Sequence, residues 1–370
     1  KNLDIIRLAA AMSVVFAHGF DAWKVYFIEY RFSKEYVADY FSGSFLYFER
    51  FFGNLGIGVE VFFFISGFLI TYILLVEKER TGSISFWRFF VRRSLRIWPL
   101  YFLLVALGPI ISDWMHYGNP DYLSICFFYA NFEVIQSGQW QFPFAHYWSI
   151  ALEEQYYLVW PPIMALLKKK HLPYIMVALI IVSIASRIYF FYFSQNTYFN
   201  LYLNTLSRMD TLLIGGLIAF KYHAKPFQFS LPKGVNLLLL LSLLGSFCFI
   251  DYNDWSSIFL VVFKKYLYLL IFGLIIFDYL FNPKYAKSNF IKRPLTYLGK
   301  ISYGIYMYHN ILVIIVIKEI LLNNKLFSGV TFTIVYLSSV IVISIISFEL
   351  YEKWFLRLKE RFSVVQTRKF

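Results

Sequence analysis

The sequence predicts an all-α polytopic integral membrane protein with about ten transmembrane helices and both termini in the cytoplasm. Of its 370 residues, 59% are hydrophobic, 22% are aromatic and only 15% are charged, with a mean hydropathy of +0.59. A soluble chain normally carries about 25% charged residues. Apolar runs recur along the whole sequence, and many reach the roughly 20 residues that cross a bilayer as a helix.

Ten such runs define the predicted elements in chain order. They lie near 3–20, 55–76, 97–112, 147–167, 172–193, 203–220, 235–250, 258–280, 296–322 and 329–350. The run at 121–135 is too polar and too short to span, so we interpret it as interfacial or re-entrant. We find no internal repeat or soluble segment in the sequence and expect one transmembrane domain over 1–370.

Lysine and arginine are distributed unevenly between the predicted loops. The segments on the side of the termini hold 23 of these residues, whereas the segments on the opposite side hold five. This asymmetry places both termini in the cytoplasm. The net charge of +13 therefore reflects topology and attraction to anionic membrane lipid, and we expect no nucleic-acid partner.

The first run carries two ionisable residues at membrane depth, Arg7 and His18. They are eleven positions apart, so a helix places them on one face, about 16 Å apart along its axis. Burying a guanidinium in the hydrocarbon of a membrane costs several kcal/mol when it has no partner. An arginine at this depth therefore indicates a functional site. Asp4, one turn earlier, could neutralise Arg7. In the alternative interpretation, the charged residues only anchor the end of the helix, and His18 is a structural residue whose hydrogen bonds are satisfied.

The second run contains an acid and several small residues. Gly56, Gly58, Ser66 and Gly67 are most simply positions of close helix packing. Glu60 lies about one turn into the run and therefore requires a cation or a solvated cavity.

A cluster of arginines follows the second run. Arg92 and Arg96 are four positions apart and share a helix face, with Arg93 beside them. Guanidinium groups at a cytoplasmic surface suit phosphate groups, since each can donate two parallel hydrogen bonds. The alternative is that these arginines form a basic stripe that only sets the topology of the chain in the membrane.

The fourth run begins with a polar and aromatic face that includes Ser149, Glu153, Tyr156 and Trp160. Glu153 should lie at a depth similar to that of His18. A carboxylate there could orient an imidazole and raise its basicity.

Two later runs also carry polar residues. Arg208 and Asp210 in the sixth run could form an internal ion pair. Ser302, Tyr306 and His309 in the ninth run recur at helical spacing and form one stripe, typical of a cavity wall or pore. Hydrogen-bonded helix packing is the other interpretation.

Neither cysteine of the sequence has metal-ligand spacing, and no metal is expected.

In order along the chain, these segments resemble the membrane acyltransferase-3 family. The segments are an Arg and a His with ten residues between them, then GxGVEVFFFISGF, RRSLRIWP, WSIALEEQYY and SYGIYMYH. The resemblance implies an enzyme of the bacterial plasma (inner) membrane that takes an acyl group, usually acetyl, from cytoplasmic acyl-CoA. The acceptor would be a hydroxyl of a surface polysaccharide, such as lipopolysaccharide or exopolysaccharide, or of a lipid-linked saccharide.

The resemblance also implies roles for individual residues. Its essential Arg and His correspond to Arg7 and His18, and its acid corresponds to Glu153. Its cytoplasmic arginines correspond to Arg92, Arg93 and Arg96, which would bind the acyl-CoA donor. The polar start of its late span corresponds to Ser302, Tyr303 and His309.

The mechanism expected from residues and resemblance combined is base-catalysed acyl transfer. His18 is the expected base, Glu153 its orienting acid, and Arg7 a guide for the pantetheine arm or a ligand of the carbonyl. Residues expected to line a substrate path are Glu60, Ser302, Tyr303, Tyr306, His309, Arg208 and Asp210. A carrier or flippase that moves an acyl or sugar-lipid molecule without chemistry is the alternative, because buried charges also suit a transport path.

Overall fold

The computed structural model describes residues 2–25, 44–116, 118–250, 256–285, 292–317 and 329–362. Over this part of the chain the regular secondary structure is helical. The α-helices are α1 (Asn2–Trp23), α2 (Ser44–Asn54), α3 (Gly58–Thr81), α4 (Phe86–Met115), α5 (Tyr122–Cys126), α6 (Ala130–Ser137), α7 (Tyr147–Leu166), α8 (Leu172–Phe193), α9 (Thr197–Leu203), α10 (Thr205–Ala224), α11 (Lys233–Phe249), α12 (Lys265–Phe281), α13 (Lys292–Lys300), α14 (Ser302–Val316), α15 (Gly329–Ser347) and α16 (Lys353–Glu360). Residues 1, 26–43, 117, 251–255, 286–291, 318–328 and 363–370 lie outside the described residues, and they include the end of the predicted ninth run.

Six helical stretches of the described chain are long and apolar enough to cross a membrane. They are Asn2–Trp23, Phe45–Thr81, Phe86–Met115, Lys169–Phe193, Leu260–Phe281 and Gly329–Glu360. Two shorter apolar helices are Lys233–Phe249 and Ser302–Val316. The predicted runs at 147–167 and 203–220 are helices of 20 residues each that are not among the six. The all-helical fold is therefore confirmed, whereas ten spans and cytoplasmic termini stay predictions.

The helices form two compact units. The first unit comprises Lys1–Val59, Gln228–Asp254 and Lys264–Phe348, and the second comprises Glu60–Phe227, Trp255–Phe263 and Glu349–Phe370. The prediction of one functional domain over 1–370 stays a prediction.

Helix α1 is central to the first unit and packs against α13, α14 and α15. Its buried face is rich in alanine and valine, which allows neighbouring helices to approach closely. A second contact joins α2 to α11, where the side-chain amide of Asn54 donates to the carbonyls of Phe247 at 2.8 Å and Ile250 at 2.5 Å. These bonds satisfy carbonyls at the end of α11 that have no partner within the helix.

Helices α3 and α10 come very close together in the second unit, and two glycines make this possible. A Cβ atom at Gly67 would overlap the backbone carbonyl of Leu212, and one at Gly215 would overlap the carbonyl of Phe64. The predicted packing role of Gly67 is thereby confirmed. It is wrong for Gly56, whose added Cβ would meet nothing within 4 Å among the described residues.

We expect Gly215→Ala to lower stability by about 1–3 kcal/mol or more, because the added methyl group meets backbone that cannot move aside. Gly245→Ala is the matched control, since Gly245 is also inside a helix but has open space around its Cβ position. That change should be neutral or stabilising by up to about 1 kcal/mol. Apparent melting temperatures of the detergent-purified variants provide the comparison. Equal melting temperatures would contradict the close contact between α3 and α10.

Candidate active site

His18 and His309 form the centre of the candidate active site in the first unit. The Nδ1 atom of His18, in α1, lies 2.9 Å from the Nε2 atom of His309, in α14. The ring centroids are 5.0 Å apart and the ring planes differ by 25°. A short N–N distance with this centroid separation means that the rings meet edge to edge, as a hydrogen bond in the ring plane requires. The sequence indicated both residues separately, and the fold brings them into contact.

The two histidines differ in their access to solvent. His309 is fully buried, and its Nδ1 atom contacts the backbone carbonyl of Tyr306, one turn earlier in α14. His18 is only partly buried. His18 is therefore the more exposed member of the pair.

The predicted polar stripe on α14 faces the interior of the first unit. Ser302, Tyr306 and His309 are all buried, and Tyr303 is half-buried. Most residues of α14 are buried, on all sides of the helix. This burial agrees with both a cavity wall and hydrogen-bonded packing, so the path-lining role stays a prediction.

Arg7 and His18 lie on one unbroken helix, as their spacing requires. The Nη1 atom of Arg7 is 3.5 Å from Oδ1 of Asp4, and both side chains are about one-fifth exposed. The expected neutralisation of Arg7 by Asp4 is therefore present. The catalytic role of Arg7 stays a prediction.

Glu153, in α7, accepts hydrogen bonds from several groups of the second unit. Ser66 Oγ donates to its Oε1 atom at 2.9 Å, and the Tyr157 hydroxyl donates to Oε2 at 2.5 Å. Arg93 Nη2 lies 3.4 Å from the same Oε2, and its guanidinium lies 3.9 Å from the centroid of the Tyr157 ring. These donors suit an ionised carboxylate and hold it in one position. The expected pairing of Glu153 with His18 would join residues of two units and stays a prediction.

Two of the three arginines predicted to bind the donor have acidic partners of their own. Arg92 Nη2 lies 2.9 Å from Oε2 of Glu77, a side chain only 1% exposed, and Arg92 Nη1 donates to the carbonyl of Phe362 at 3.0 Å. Arg93 pairs with Glu153, and Arg96 is half-buried. A phosphate that binds Arg92 therefore has to compete with Glu77.

Glu60 and Arg208 form a buried ion pair between α3 and α10. Arg208 Nη2 lies 2.8 Å from Oε1 of Glu60, with exposures of 3% and 1%. The Thr211 hydroxyl donates to the other carboxylate oxygen. The guanidinium also lies 5.1 Å from the ring centroid of Tyr202 and 5.6 Å from that of Trp148, within the range of cation–π attraction. As expected for a buried acid, Glu60 has a cationic partner.

Asp210 pairs with an arginine that the sequence analysis did not select. Its Oδ2 atom lies 3.0 Å from Nη2 of Arg187, in α8. The expectation that Arg208 and Asp210 would pair with each other is thus replaced by two pairs to two other helices. Residues two positions apart point to different sides of a helix, which explains the separate partners. Arg187 could have been found as a charge inside the apolar run 172–193, the same signal that singled out Arg7.

Among the residues that the structure describes, no group of three or more His, Cys, Asp or Glu side chains is arranged to hold a metal ion.

Ionisable side chains buried between apolar helices define a polytopic protein of membrane type with a polar interior. A family model described as an acyltransferase domain matches residues 1–349. The chain therefore belongs to acyltransferase family 3, which confirms the resemblance read from its motifs.

Two relatives are named O-acetyltransferases. The peptidoglycan O-acetyltransferase OatA of Listeria monocytogenes is 28% identical over 276 residues, which cover 68% of this chain and 44% of the relative. The O-acetyltransferase OatA of Staphylococcus aureus is 27% identical over 341 residues, covering 85% of this chain and 53% of the relative. The chain thus spans about half the length of these relatives. No solved structure matches it.

Proposed function

We propose that this chain is a membrane O-acetyltransferase that moves an acetyl group from cytoplasmic acetyl-CoA to a hydroxyl of a glycan of the bacterial cell envelope. The observation that carries the proposal is the partly accessible His18 imidazole held by the buried ring of His309. Membership of acyltransferase family 3 and the two O-acetyltransferase relatives support it.

The proposed reaction uses His18 as the general base. Its ring takes the proton of the acceptor hydroxyl while that oxygen forms a bond to the thioester carbonyl carbon. The carbonyl electron pair moves onto oxygen. Arg7 lies about 16 Å from His18 along α1 and pairs with Asp4, one turn further away, so its proposed role is to guide the pantetheine arm of the donor. Collapse of this intermediate breaks the carbon–sulfur bond. The CoA thiolate then leaves and receives the proton from the His18 imidazolium, which restores the neutral base.

The proposed acceptor is a cell-envelope glycan on the outer side of the bacterial plasma membrane, with both termini of the chain in the cytoplasm. Peptidoglycan fragments are the first acceptor to test, because one relative is named for peptidoglycan. Lipopolysaccharide, exopolysaccharide and lipid-linked saccharides are the further acceptors that the motif resemblance implies.

The test is acetyl transfer by the purified chain in nanodiscs, with acetyl-CoA labelled in the acetyl group. We expect CoA release that depends on the acceptor, with the label recovered on the glycan as an alkali-labile ester. CoA is quantified by chromatography so that Cys126 and Cys248 do not interfere with a thiol reagent.

The same protein in sealed vesicles distinguishes the enzyme from a carrier. Movement of intact labelled acyl or sugar-lipid molecules across the vesicle membrane, without CoA release with any acceptor, would overturn the proposal in favour of a carrier.

The arginine cluster of α4 is proposed to bind the CoA phosphates. A charge-assisted hydrogen bond to phosphate contributes about 1.5–3 kcal/mol. We therefore expect Arg96→Ala to weaken CoA binding by about ten- to hundredfold, as measured by isothermal titration calorimetry. Arg96→Lys keeps the charge but not the two parallel donors, and should recover only part of the loss.

Arg92 needs a different design because Arg92→Ala also leaves the buried Glu77 without its cation. Glu77→Gln removes the competing charge while it retains Arg92. If Arg92 binds the donor, this variant should keep or improve CoA affinity. Unchanged affinity in both Arg96→Ala and Arg92→Ala would mean that the donor phosphates bind elsewhere.

A further inference from the structure

His309 has the geometry to decide which nitrogen of His18 carries the proton. An imidazole can act as a base only through the nitrogen that lacks a proton, and the hydrogen bond at the other nitrogen determines which one that is. The Nδ1 atom of His18 faces Nε2 of His309 at 2.9 Å. In the described part of the chain, this is the hydrogen bond that the His18 ring makes.

The proton on His309 is located by its second contact. Its Nδ1 atom faces the backbone carbonyl oxygen of Tyr306. A carbonyl oxygen can only accept a hydrogen bond, so Nδ1 of His309 must carry the proton that is donated to it.

The state of Nε2 in His309 follows from this assignment. The ring is fully buried in an apolar helix, which favours its uncharged form. A neutral imidazole with its proton on Nδ1 has a lone pair on Nε2. The His309 Nε2 atom therefore accepts a hydrogen bond, and Nδ1 of His18 is the donor.

We propose that His309 is a positioning residue, which holds His18 in the tautomer whose Nε2 atom is unprotonated and available as the base. The Tyr306 carbonyl contacts the His309 ring, and the His309 ring in turn contacts the His18 ring. The proposal rests on the proposed function for its catalytic consequence, but the tautomer itself is a property of the resting protein.

The same contact stabilises charge during the reaction. When Nε2 of His18 takes the hydroxyl proton, the His18 ring carries a proton on each nitrogen. The lone pair on Nε2 of His309 continues to accept the Nδ1 hydrogen, and the charge stays on His18 because the His309 ring is fully buried. The Nε2 proton of His18 then passes to the CoA thiolate, so no proton is gained or lost by the two rings.

The test measures the tautomer directly in the full chain by nitrogen-15 NMR of the histidine-labelled protein. The sequence has six histidines, and the His18 signals are assigned by their loss in His18→Ala. In the wild-type protein we expect a protonated Nδ1 and an unprotonated Nε2 for His18. His309→Leu should shift His18 towards a mixture of tautomers.

Two variants separate positioning from packing. A glutamine side chain can place an oxygen near the position of Nε2, so His309→Gln should restore the wild-type His18 tautomer and part of the turnover. Tyr308→Phe is the control on the same helix and should leave the His18 signals unchanged. For His309→Leu we expect kcat to fall by about tenfold or more, less than the roughly 10²- to 10⁴-fold effect of a whole general base.

The outcomes are distinct. An unchanged His18 tautomer in His309→Leu overturns the positioning role, whatever happens to the turnover. A shifted tautomer with restoration by His309→Gln supports it. If the wild-type protein shows the expected tautomer but transfers no acetyl group to any acceptor, the proposed function fails while the proton assignment stands.

Discussion

Replacing His18 by alanine is expected to lower acetyl transfer by about 10²- to 10⁴-fold, the contribution of a general base. The substitution removes a partly exposed ring in the C-terminal half of α1, so the protein should still insert and fold. CoA release and label transfer are measured with the variant in nanodiscs at matched protein concentration. Affinity for CoA should change little, because the proposed donor contacts are arginines of α4.

His171→Ala is the control for the loss of a histidine. His171 is exposed and lies just before α8, and its replacement should leave turnover unchanged. Wild-type turnover in His18→Ala would show that the base is another group. A large drop in melting temperature in His18→Ala would instead assign His18 a structural role.

The second large effect is expected for stability, at the ion pair of Glu60 and Arg208. Glu60→Gln leaves the Arg208 guanidinium buried without its carboxylate, and breaking such a pair typically costs about 3–5 kcal/mol. We therefore expect a clear fall in the apparent melting temperature of the purified variant. The side-chain amide oxygen of glutamine can still accept a hydrogen bond from the Thr211 hydroxyl. The loss of stability is therefore attributable mainly to the loss of the carboxylate charge.

An exposed ion pair in the same unit provides the matched control. Glu349 and Lys353 lie four positions apart with Oε2 and Nζ 2.7 Å from each other, and both side chains are about 40% exposed. Glu349→Gln should change stability by about 0.5 kcal/mol or less. Equal effects of the two substitutions would contradict a structural role of the buried pair. A fall in turnover without a fall in stability in Glu60→Gln would support its predicted place on a substrate path.

Helix positions were largely predictable because each predicted apolar run overlaps a helix in the described residues. Hydrophobic length is a local property, which one sequence displays directly. Boundaries were less predictable. The third run was predicted to begin near residue 97, whereas α4 begins at Phe86, where the Ser85 hydroxyl accepts a hydrogen bond from the backbone of Arg88. This N-cap extends the helix through Arg92 and Arg96.

The candidate site was predictable in its members but not in their contacts. His18 and His309 were each selected by their polarity inside an apolar run. Their contact was not, because 291 positions separate them and helical spacing relates only residues within a few turns of one helix.

What the sequence determined by itself is that the charges buried in its helices need partners. Arg208, Asp210 and Glu60 lie in segments where an unpaired charge costs several kcal/mol, whatever the fold around them. Which partner each one has was decided by the tertiary structure. The close contact of α3 with α10 brings Glu60 to Arg208, and the packing of α8 against α10 brings Arg187 to Asp210. The physical reason is that desolvation acts on each residue alone, whereas an ion pair depends on two helix faces meeting at one depth.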